Sequence, residues 1–351
     1  ALSVGDILFE RYEHSKVVAL LYALPVVIFL VAYTSVQFVG ASRIFEVMTG
    51  WSYRIALILT GLVTVFYATT GGIRGVGLAT VLQGAFMTFA AILLAVGVFG
   101  GALSQYGGLT GVHNALVQVA GQKYVDPYAL GVKIVISWWI IFSIGLLALP
   151  HGLMASLSYK DTKAMKRAVY LGVIVVTFWT FIMLFTGFFA RLWFPKLSVP
   201  DHAVPFVTLT ILPPAVGGIV FAGVVSAAQS TIAAMTILIS SAIVQNIYKQ
   251  VVKPDATSKQ LKMASVYATL GVGLTAFLLA LAAPPALEYI IIFAIGGLMS
   301  SLLWPIILGL FWPRGNRYGA IASMITGLTI YILAKKFYPP LRFGFDPVII
   351  G

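Results

Sequence analysis

The sequence predicts an all-α polytopic membrane protein, and three observations support this prediction. Of the 351 residues, 60% are hydrophobic and only 9% are charged. The mean hydropathy is +1.00. Apolar runs long enough to cross the roughly 30 Å hydrocarbon core of a bilayer recur between short polar segments. A water-soluble domain of this size could not bury so much apolar surface in one core, so lipid is expected to cover much of it.

The apolar runs predict about nine transmembrane helices, which together form one transmembrane domain over residues 1–351. The expected spans are 16–41, 52–73, 77–100, 129–155, 165–193, 212–246, 263–283, 286–312 and 317–337. The fourth span contains Pro150 between Gly145 and Gly152. Because proline lacks a backbone donor and glycine weakens a helix, a break in the fourth span is expected there.

Composition also argues against several classes of function. The net charge of +12 could suggest a nucleic-acid partner, but the basic residues lie beside hydrophobic spans, as juxtamembrane charges do. Cysteine is absent, so no disulfide or thiolate metal site is expected. The chain has no nucleotide-binding loop, no paired His-Glu metal motif and no Ser-His-Asp set in plausible register. We therefore expect neither an enzyme nor a cofactor, and the loops identify no protein partner.

The distribution of basic residues predicts the orientation in the membrane. With residue 1 on the cytoplasmic side, Lys and Arg are more numerous in the inner loops, and the short segment Ser158–Arg167 carries four of them. Such segments remain in the cytoplasm. A multi-pass protein of the inner (plasma) membrane is expected. On the outer side, Gly101–Tyr128 and Arg191–Pro214 are expected to be loops, either caps over a pathway or ordinary connections.

The acidic residues all lie in loops or at the edges of spans. A monovalent cation within the membrane would therefore need hydroxyl groups and backbone carbonyls as ligands. Ala227, Ser230 and Thr231 in the sixth span have the i, i+3, i+4 spacing of one helix face. The alternative is that both hydroxyls bond to carbonyls of their own helix and allow close packing.

Three residues are candidates for contact with a solute: Gln37, His151 and Ser301. His151 follows Pro150 at the expected break, where a broken helix exposes backbone groups to a substrate. The alternative is a passive kink with the histidine capped by a carbonyl or water. Gln37 lies in the polar cluster of the first span, and Ser301 follows Ser300 in the eighth. Both could equally be helix-packing residues.

Several stretches together resemble the sodium/solute symporter family, and in part its pantothenate branch. They are Gly71-Gly72-Ile73-Arg74-Gly75-Val76 with Gln83-Gly84, Leu149-Pro150-His151 with Ser158-Tyr159-Lys160-Asp161, Val199-Pro200-Asp201, Leu212-Pro213-Pro214 and Ile247-Tyr248-Lys249. The resemblance covers essentially the whole chain. It implies a leucine-transporter-type fold of two five-helix inverted repeats. The expected fold is incomplete, with about three helices preceding residue 1 and one helix following residue 351.

The resemblance also implies roles for particular residues. Ala227, Ser230 and Thr231 match the positions that supply one carbonyl and two hydroxyls to the family's common sodium site. Thr80 stands where the family commonly has Asp, and Ala233 and Ala234 replace hydroxyls. These departures argue against a second sodium site in this part of the chain. A further departure is Ala155, where an arginine commonly follows Leu-Pro-His, and it weakens the expectation that a carboxylate is bound in the family's usual way.

The sequence therefore predicts sodium-coupled symport of a small, carboxylated, pantothenate-like solute by alternating access. Sodium, the solute and the lipid bilayer are the expected partners. One alternative is a sodium symporter for proline or another monocarboxylate. A second is a transporter-like sensory domain of a membrane histidine kinase, and a third is a passive channel.

Overall fold

The structure is a computed structural model that describes residues 3–156, 159–282, 287–337 and 345–349. This part of the chain is helical and contains no β-strand. Its α-helices are α1 (Val4–Arg11), α2 (Lys16–Thr49), α3 (Tyr53–Leu94), α4 (Gly100–Tyr106), α5 (Leu109–Ala120), α6 (Gln122–Val125), α7 (Val132–Ser143), α8 (Pro150–Ser156), α9 (Thr162–Trp193), α10 (Ala203–Ile211), α11 (Pro214–Ser241), α12 (Ser258–Ala280), α13 (Glu288–Phe311) and α14 (Arg317–Phe337). Wider π-helical turns at Ala95–Phe99 and Ala242–Val252 extend α3 and α11.

Eight helical segments in the described ranges are long and apolar enough to cross a membrane, which confirms the polytopic α-helical prediction. They are Lys16–Thr49, Tyr53–Gly72, Gly75–Tyr106, Thr162–Trp193, Pro214–Val252, Ser258–Ala280, Glu288–Phe311 and Arg317–Phe337. The remaining predicted span, 129–155, is divided into α7, a 3-10 turn at Gly145–Ala148 and α8. The second and third spans meet at Gly72, whose φ of 55° interrupts α3. Glycine adopts this left-handed region without the steric cost that a Cβ imposes.

Local sequence signals explain where two of the spans, α2 and α9, begin. The Ser15 hydroxyl accepts a hydrogen bond from the amide of Val18 at the start of α2. The Asp161 carboxylate does the same for Ala164 at the start of α9, with a distance of 2.7 Å. Each side chain satisfies an amide that has no partner within the first turn of its helix.

The most extensive core lies between α2 and α13. Phe29 of α2 and Leu298 of α13 are buried, and Tyr331 of α14 packs against Phe29. A Cβ at Gly297 would overlap the Phe29 ring, so glycine is required for this approach of the two helices. By contrast, α9 exposes many large apolar side chains along its length, as expected of a helix at the periphery that faces lipid.

Contacts between distant segments identify which helix ends share a side of the membrane. On the residue 1 side, Gln250 at the end of the α11 extension donates to Asp6 at 2.8 Å. The Arg11 side chain donates to the carbonyl of Gly309 at 2.7 Å. On the opposite side, Glu46 near the end of α2 lies 3.2 Å from the His202 ring, between α9 and α10. The ends of these helices therefore lie on alternate sides of the membrane, in the order that the nine predicted spans require.

Two segments that were expected to be outer loops are largely helical, so that expectation was wrong. In residues 101–128, Val112 and Leu116 have the i, i+4 spacing of one helix face and pack beside Phe189 of α9. In residues 191–214, Pro205 lies in the first turn of α10, where the lack of an amide hydrogen has no cost. Their glycine and proline content predicted irregular structure. The sequence did not reveal these short amphipathic helices, because their burial depends on contact with the bundle.

Candidate functional site

The fourth span is broken where Pro150 predicted it. α7 ends at Ser143, Leu149 adopts an extended conformation with φ −80° and ψ 116°, and α8 begins at Pro150. A Cβ at Gly145 would lie 2.9 Å from the sulfur of Met299. The 3-10 turn can therefore pack closely against α13 only because residue 145 is glycine.

His151 lies at this break and faces a small cavity. Its Nδ1 atom is buried and has no hydrogen-bond partner in the described part of the chain. The cavity is closed in this conformation and has no room for a water molecule. Its lining residues come from α2, the break, α11 and α13, and they are Leu30, Tyr33, Leu149, His151, Met235, Ala294, Ile295 and Leu298. Because an unpaired buried polar atom costs about 1–3 kcal/mol, a ligand that paired with this nitrogen would recover that energy.

Ala227, Ser230 and Thr231 lie together at the middle of α11. The Ser230 hydroxyl donates to the carbonyl of Ala227 at 2.9 Å, and the Thr231 hydroxyl donates to the same carbonyl at 3.0 Å. Three oxygens thus converge at one point, and the three residues are partly exposed rather than fully buried. Each hydroxyl keeps lone pairs with which it could coordinate a cation. The same hydrogen bonds also occur in simple helix packing, so the sodium assignment stays a prediction.

The three oxygens and the His151 cavity are close along α11. Met235, which lines the cavity, follows Thr231 by four residues. Four residues of α-helix rise about 6 Å and return to the same face. A cation at the hydroxyls and a solute in the cavity would therefore occupy neighbouring positions on one helix.

The other two solute candidates do not line this cavity. Gln37 is half-buried on α2, one turn beyond Tyr33 of the lining. Ser301 is completely buried, and its hydroxyl donates to the carbonyl of Gly297 at 2.7 Å, which agrees with the packing alternative. The hydroxyl of the adjacent Ser300 is buried without a partner among the described residues. The roles of Gln37 and Ser301 stay predictions.

The positions that depart from the family pattern provide few side-chain oxygens. The Thr80 hydroxyl donates to the carbonyl of Val76 at 2.8 Å within its own helix. Ala233 is buried against Ala68 and Val76, and Ala234 is exposed. The side chain of Ala155 lies outside the described part of the structure.

A contact that the sequence did not predict fixes α11 at the three oxygens. The Tyr67 hydroxyl of α3 donates to the carbonyl of Gln229 at 2.7 Å. Gln229 directly precedes Ser230, so this bond attaches the segment with the two hydroxyls to the neighbouring helix. A tyrosine near a helix end is common in membrane proteins, and nothing in the local sequence identifies its partner 162 residues away.

A cluster of charged side chains lies at the helix ends on the side opposite α1. Arg43 pairs with Glu46 at 2.8 Å, and Glu46 also contacts His202 at 3.2 Å. Burial raises the pKa of the nearby Asp201 carboxyl, although Arg43 and His202 oppose this shift. These contacts attach the segment before α10 to the end of α2, on the side of the membrane opposite α1.

With this geometry established, comparison with known proteins identifies the family. The sequence model described as the Sodium:solute symporter family matches residues 1–327. The chain belongs to this family. It is 34% identical to the sodium/pantothenate symporter of Haemophilus influenzae, with alignment of 100% of this chain and 74% of that protein. It is 33% identical to the sodium/pantothenate symporter of Escherichia coli, covering 99% of this chain and 72% of that protein.

Other relatives are more distant. The osmoregulated proline transporter of Bacillus subtilis is 26% identical over 95% of this chain and 68% of its own length. A solved structure of a Na⁺-coupled sialic acid symporter, substrate-bound and outward-open, aligns with a TM-score of 0.73 at 19% identity, over 99% of this chain and 74% of that one. This structural similarity concerns the fold, and it confirms the predicted leucine-transporter-type architecture.

Proposed function

We propose that this protein is a sodium-driven symporter for a small carboxylated solute of the pantothenate type. The observation that carries the proposal is the position of the Ser230 and Thr231 hydroxyls, which converge on the Ala227 carbonyl one helical turn from the His151 cavity. The two sodium/pantothenate symporters at 33% and 34% identity support the choice of solute. Lys and Arg are more numerous in the loops on the residue 1 side than in those on the other side, which supports a cytoplasmic location for the residue 1 side.

In the proposed mechanism, sodium binds to the three oxygens of α11 together with further ligands from the rest of the protein. Neutral oxygens can replace part of the hydration shell of a monovalent cation without the cost of burying a carboxylate. The bound ion stabilises the conformation in which these oxygens converge. Because sodium is more concentrated outside the cell, it shifts the population towards the solute-binding state on that side.

The proposed solute contact is the unpaired nitrogen of His151. A histidine ring can donate one hydrogen bond to a carboxylate or accept one from a hydroxyl group, and pantothenate offers both groups. The apolar lining contributed by Leu30, Leu298 and Met235 suits the aliphatic part of such a solute. The solute would bind in a conformation in which this cavity is wider than in the structure. Gln37 and Ser301 are proposed as further contacts in that conformation.

Transport assays with the full-length protein in proteoliposomes test the choice of solute. With an inward sodium gradient, labelled pantothenate is expected to accumulate, and unlabelled pantothenate is expected to compete far better than proline. Proline is the second candidate because proline transporters are also relatives, at 23–26% identity. Accumulation of proline but not of pantothenate would contradict the proposed solute and leave sodium coupling intact.

The hydrogen bond from Tyr67 gives a second test of the sodium site. Tyr67→Phe removes the hydroxyl that donates to the Gln229 carbonyl and also bonds to the Gln83 side chain within α3, so α11 should be less well fixed at Ser230 and Thr231. The loss of the hydrogen bond to α11, which contributes about 0.5–1.5 kcal/mol, predicts a rise of about twofold to twelvefold in the sodium concentration for half-maximal uptake.

The matched control for this variant is Tyr53→Phe. The Tyr53 hydroxyl also joins α3 to another helix, donating to the Ala280 carbonyl at 2.7 Å, but it lies far from the three oxygens. Its removal is expected to leave the sodium dependence unchanged. Equal sodium dependence in the two variants would show that Tyr67 contributes to packing alone.

A further inference from the structure

A groove opens between α13 and α14 on the residue 1 side of the protein. It has a volume of about 300 Å³. Pro305 and Leu308 of α13 and Ala320 of α14 provide an apolar floor. The rim is polar or aromatic and is formed by Tyr12, Trp304, Trp312, Arg314, Asn316 and Ser323. A groove with this division between floor and rim suits an amphipathic ligand.

The groove lies at the depth of the membrane interface. α13 ends at Phe311 and α14 begins at Arg317, so the turn between two membrane-crossing helices forms its mouth. Trp304 and Trp312 are 54% and 50% exposed at this level. Tryptophan is enriched where lipid headgroups meet the acyl chains, because its ring is apolar and its N–H is polar. The neighbouring molecule at this depth in a membrane is a phospholipid.

Two positive charges at the mouth lack a carboxylate partner. Arg314 is exposed and forms no hydrogen bond or ion pair with any described residue. Arg11 donates to the carbonyls of Gly309, Trp312 and Pro313, and no described carboxylate lies within ion-pair distance of it. Arg317 differs because it pairs with Glu13 at 3.3 Å. The mouth therefore keeps a net positive charge that an anionic headgroup would neutralise.

We propose that this groove is a binding site for an anionic phospholipid in the leaflet on the residue 1 side. Arg314 contacts the phosphate of the headgroup, and the charge of Arg11 adds to the attraction. Trp304 and Trp312 lie beside the glycerol region. An acyl chain covers Pro305 and Leu308. The basic excess on this side places the site in the cytoplasmic leaflet, whose anionic lipids attract basic residues near helix ends. The site is separate from the proposed sodium and solute positions and does not depend on them.

Native mass spectrometry of the detergent-solubilised full-length protein tests this site. Phosphatidylglycerol is the anionic probe, and phosphatidylcholine with the same acyl chains is the neutral one. The wild type is expected to retain phosphatidylglycerol preferentially. Arg314→Gln is expected to weaken the binding of phosphatidylglycerol about fivefold, since one basic residue near a membrane surface contributes about 1 kcal/mol. Binding of phosphatidylcholine should change little.

The matched control is Arg54→Gln, which removes the same charge from the first turn of α3. Arg54 is also exposed and without a partner in the described structure, but it lies on the opposite side of the membrane. It is expected to leave the retention of the preferred lipid unchanged. Because neither arginine makes a folding contact, both variants should unfold at the wild-type temperature.

Three results would overturn the proposal. Equal retention of both lipids by the wild type would show that charge does not select the ligand. An equal effect of Arg314→Gln and Arg54→Gln on lipid retention would show that binding depends on the overall charge of the protein rather than on this groove. Displacement of phosphatidylglycerol by millimolar inorganic phosphate would identify a simple anion site in which the apolar floor has no role.

Discussion

Replacement of both Ser230 and Thr231 by alanine is expected to abolish sodium-stimulated uptake while the protein still folds. Both hydroxyls donate to the Ala227 carbonyl, and in the proposed site all three oxygens coordinate sodium. Loss of a ligand in a site of low dielectric constant costs about 1–3 kcal/mol, so two losses should lower the apparent sodium affinity at least about tenfold. The sodium dependence of the initial rate of solute uptake measures this change.

Thr236→Ala is the matched control on the same helix. The Thr236 hydroxyl also donates to a carbonyl of its own helix, that of Ile232 at 2.6 Å, and it is buried one turn away from the proposed ligands. If hydroxyls on α11 act only in packing, Thr236→Ala should impair uptake as much as the double substitution. Unchanged sodium dependence in the Ser230→Ala, Thr231→Ala variant would rule out this sodium site.

His151→Ala is expected to reduce the apparent affinity for the solute about tenfold or more. A hydrogen bond between the ring and a charged carboxylate contributes about 1.5–3 kcal/mol, and the alanine side chain cannot replace it. The sodium dependence measured at saturating solute should change little, because His151 lies in the cavity rather than at the three oxygens. Comparison of the apparent KM for solute and for sodium distinguishes these effects.

His151→Gln serves as the conservative variant in the same experiment. Its amide can still donate and accept hydrogen bonds from a similar position. Partial recovery of the solute affinity would support a direct contact. An apparent KM that is unchanged in His151→Ala would contradict the assignment of the histidine to the solute site.

The architecture was largely predictable because lipid imposes a simple requirement on sequence. A segment such as Thr162–Trp193 must be apolar over its whole length to cross a bilayer, and this signal does not depend on its neighbours. The break before Pro150 was predictable for a similar reason, since proline removes a backbone donor wherever it lies in a helix. Both signals are local in the chain.

Features that depend on distant contacts were not predictable in this way. The helix Leu109–Ala120 is too short to be recognised as a membrane span, and its apolar face has a partner only because Phe189 packs beside it. The bond between Tyr67 and Gln229 likewise joins two spans whose relative position no local pattern specifies. The periodicity of one helix identifies its faces and leaves their partners undetermined.

The candidate site was predictable only in part. The spacing of Ala227, Ser230 and Thr231 predicted one shared face, and the structure brings their oxygens together. The choice among solute residues was harder, because a small polar residue in a membrane helix can serve either packing or binding. Only the three-dimensional arrangement distinguishes His151, which has an unpaired nitrogen at a cavity, from Ser301, whose hydroxyl bonds within its own helix.

The central claim, that sodium drives the solute across the membrane, is tested most directly by reversing the sodium gradient in the proteoliposome assay. With the full-length protein and equal solute on both sides, an inward sodium gradient is expected to produce net solute entry. An outward gradient of the same size is expected to produce net exit, at a membrane potential held at zero. Net flux that is the same for both directions of the gradient would contradict sodium coupling and leave a facilitated carrier or channel as the explanation.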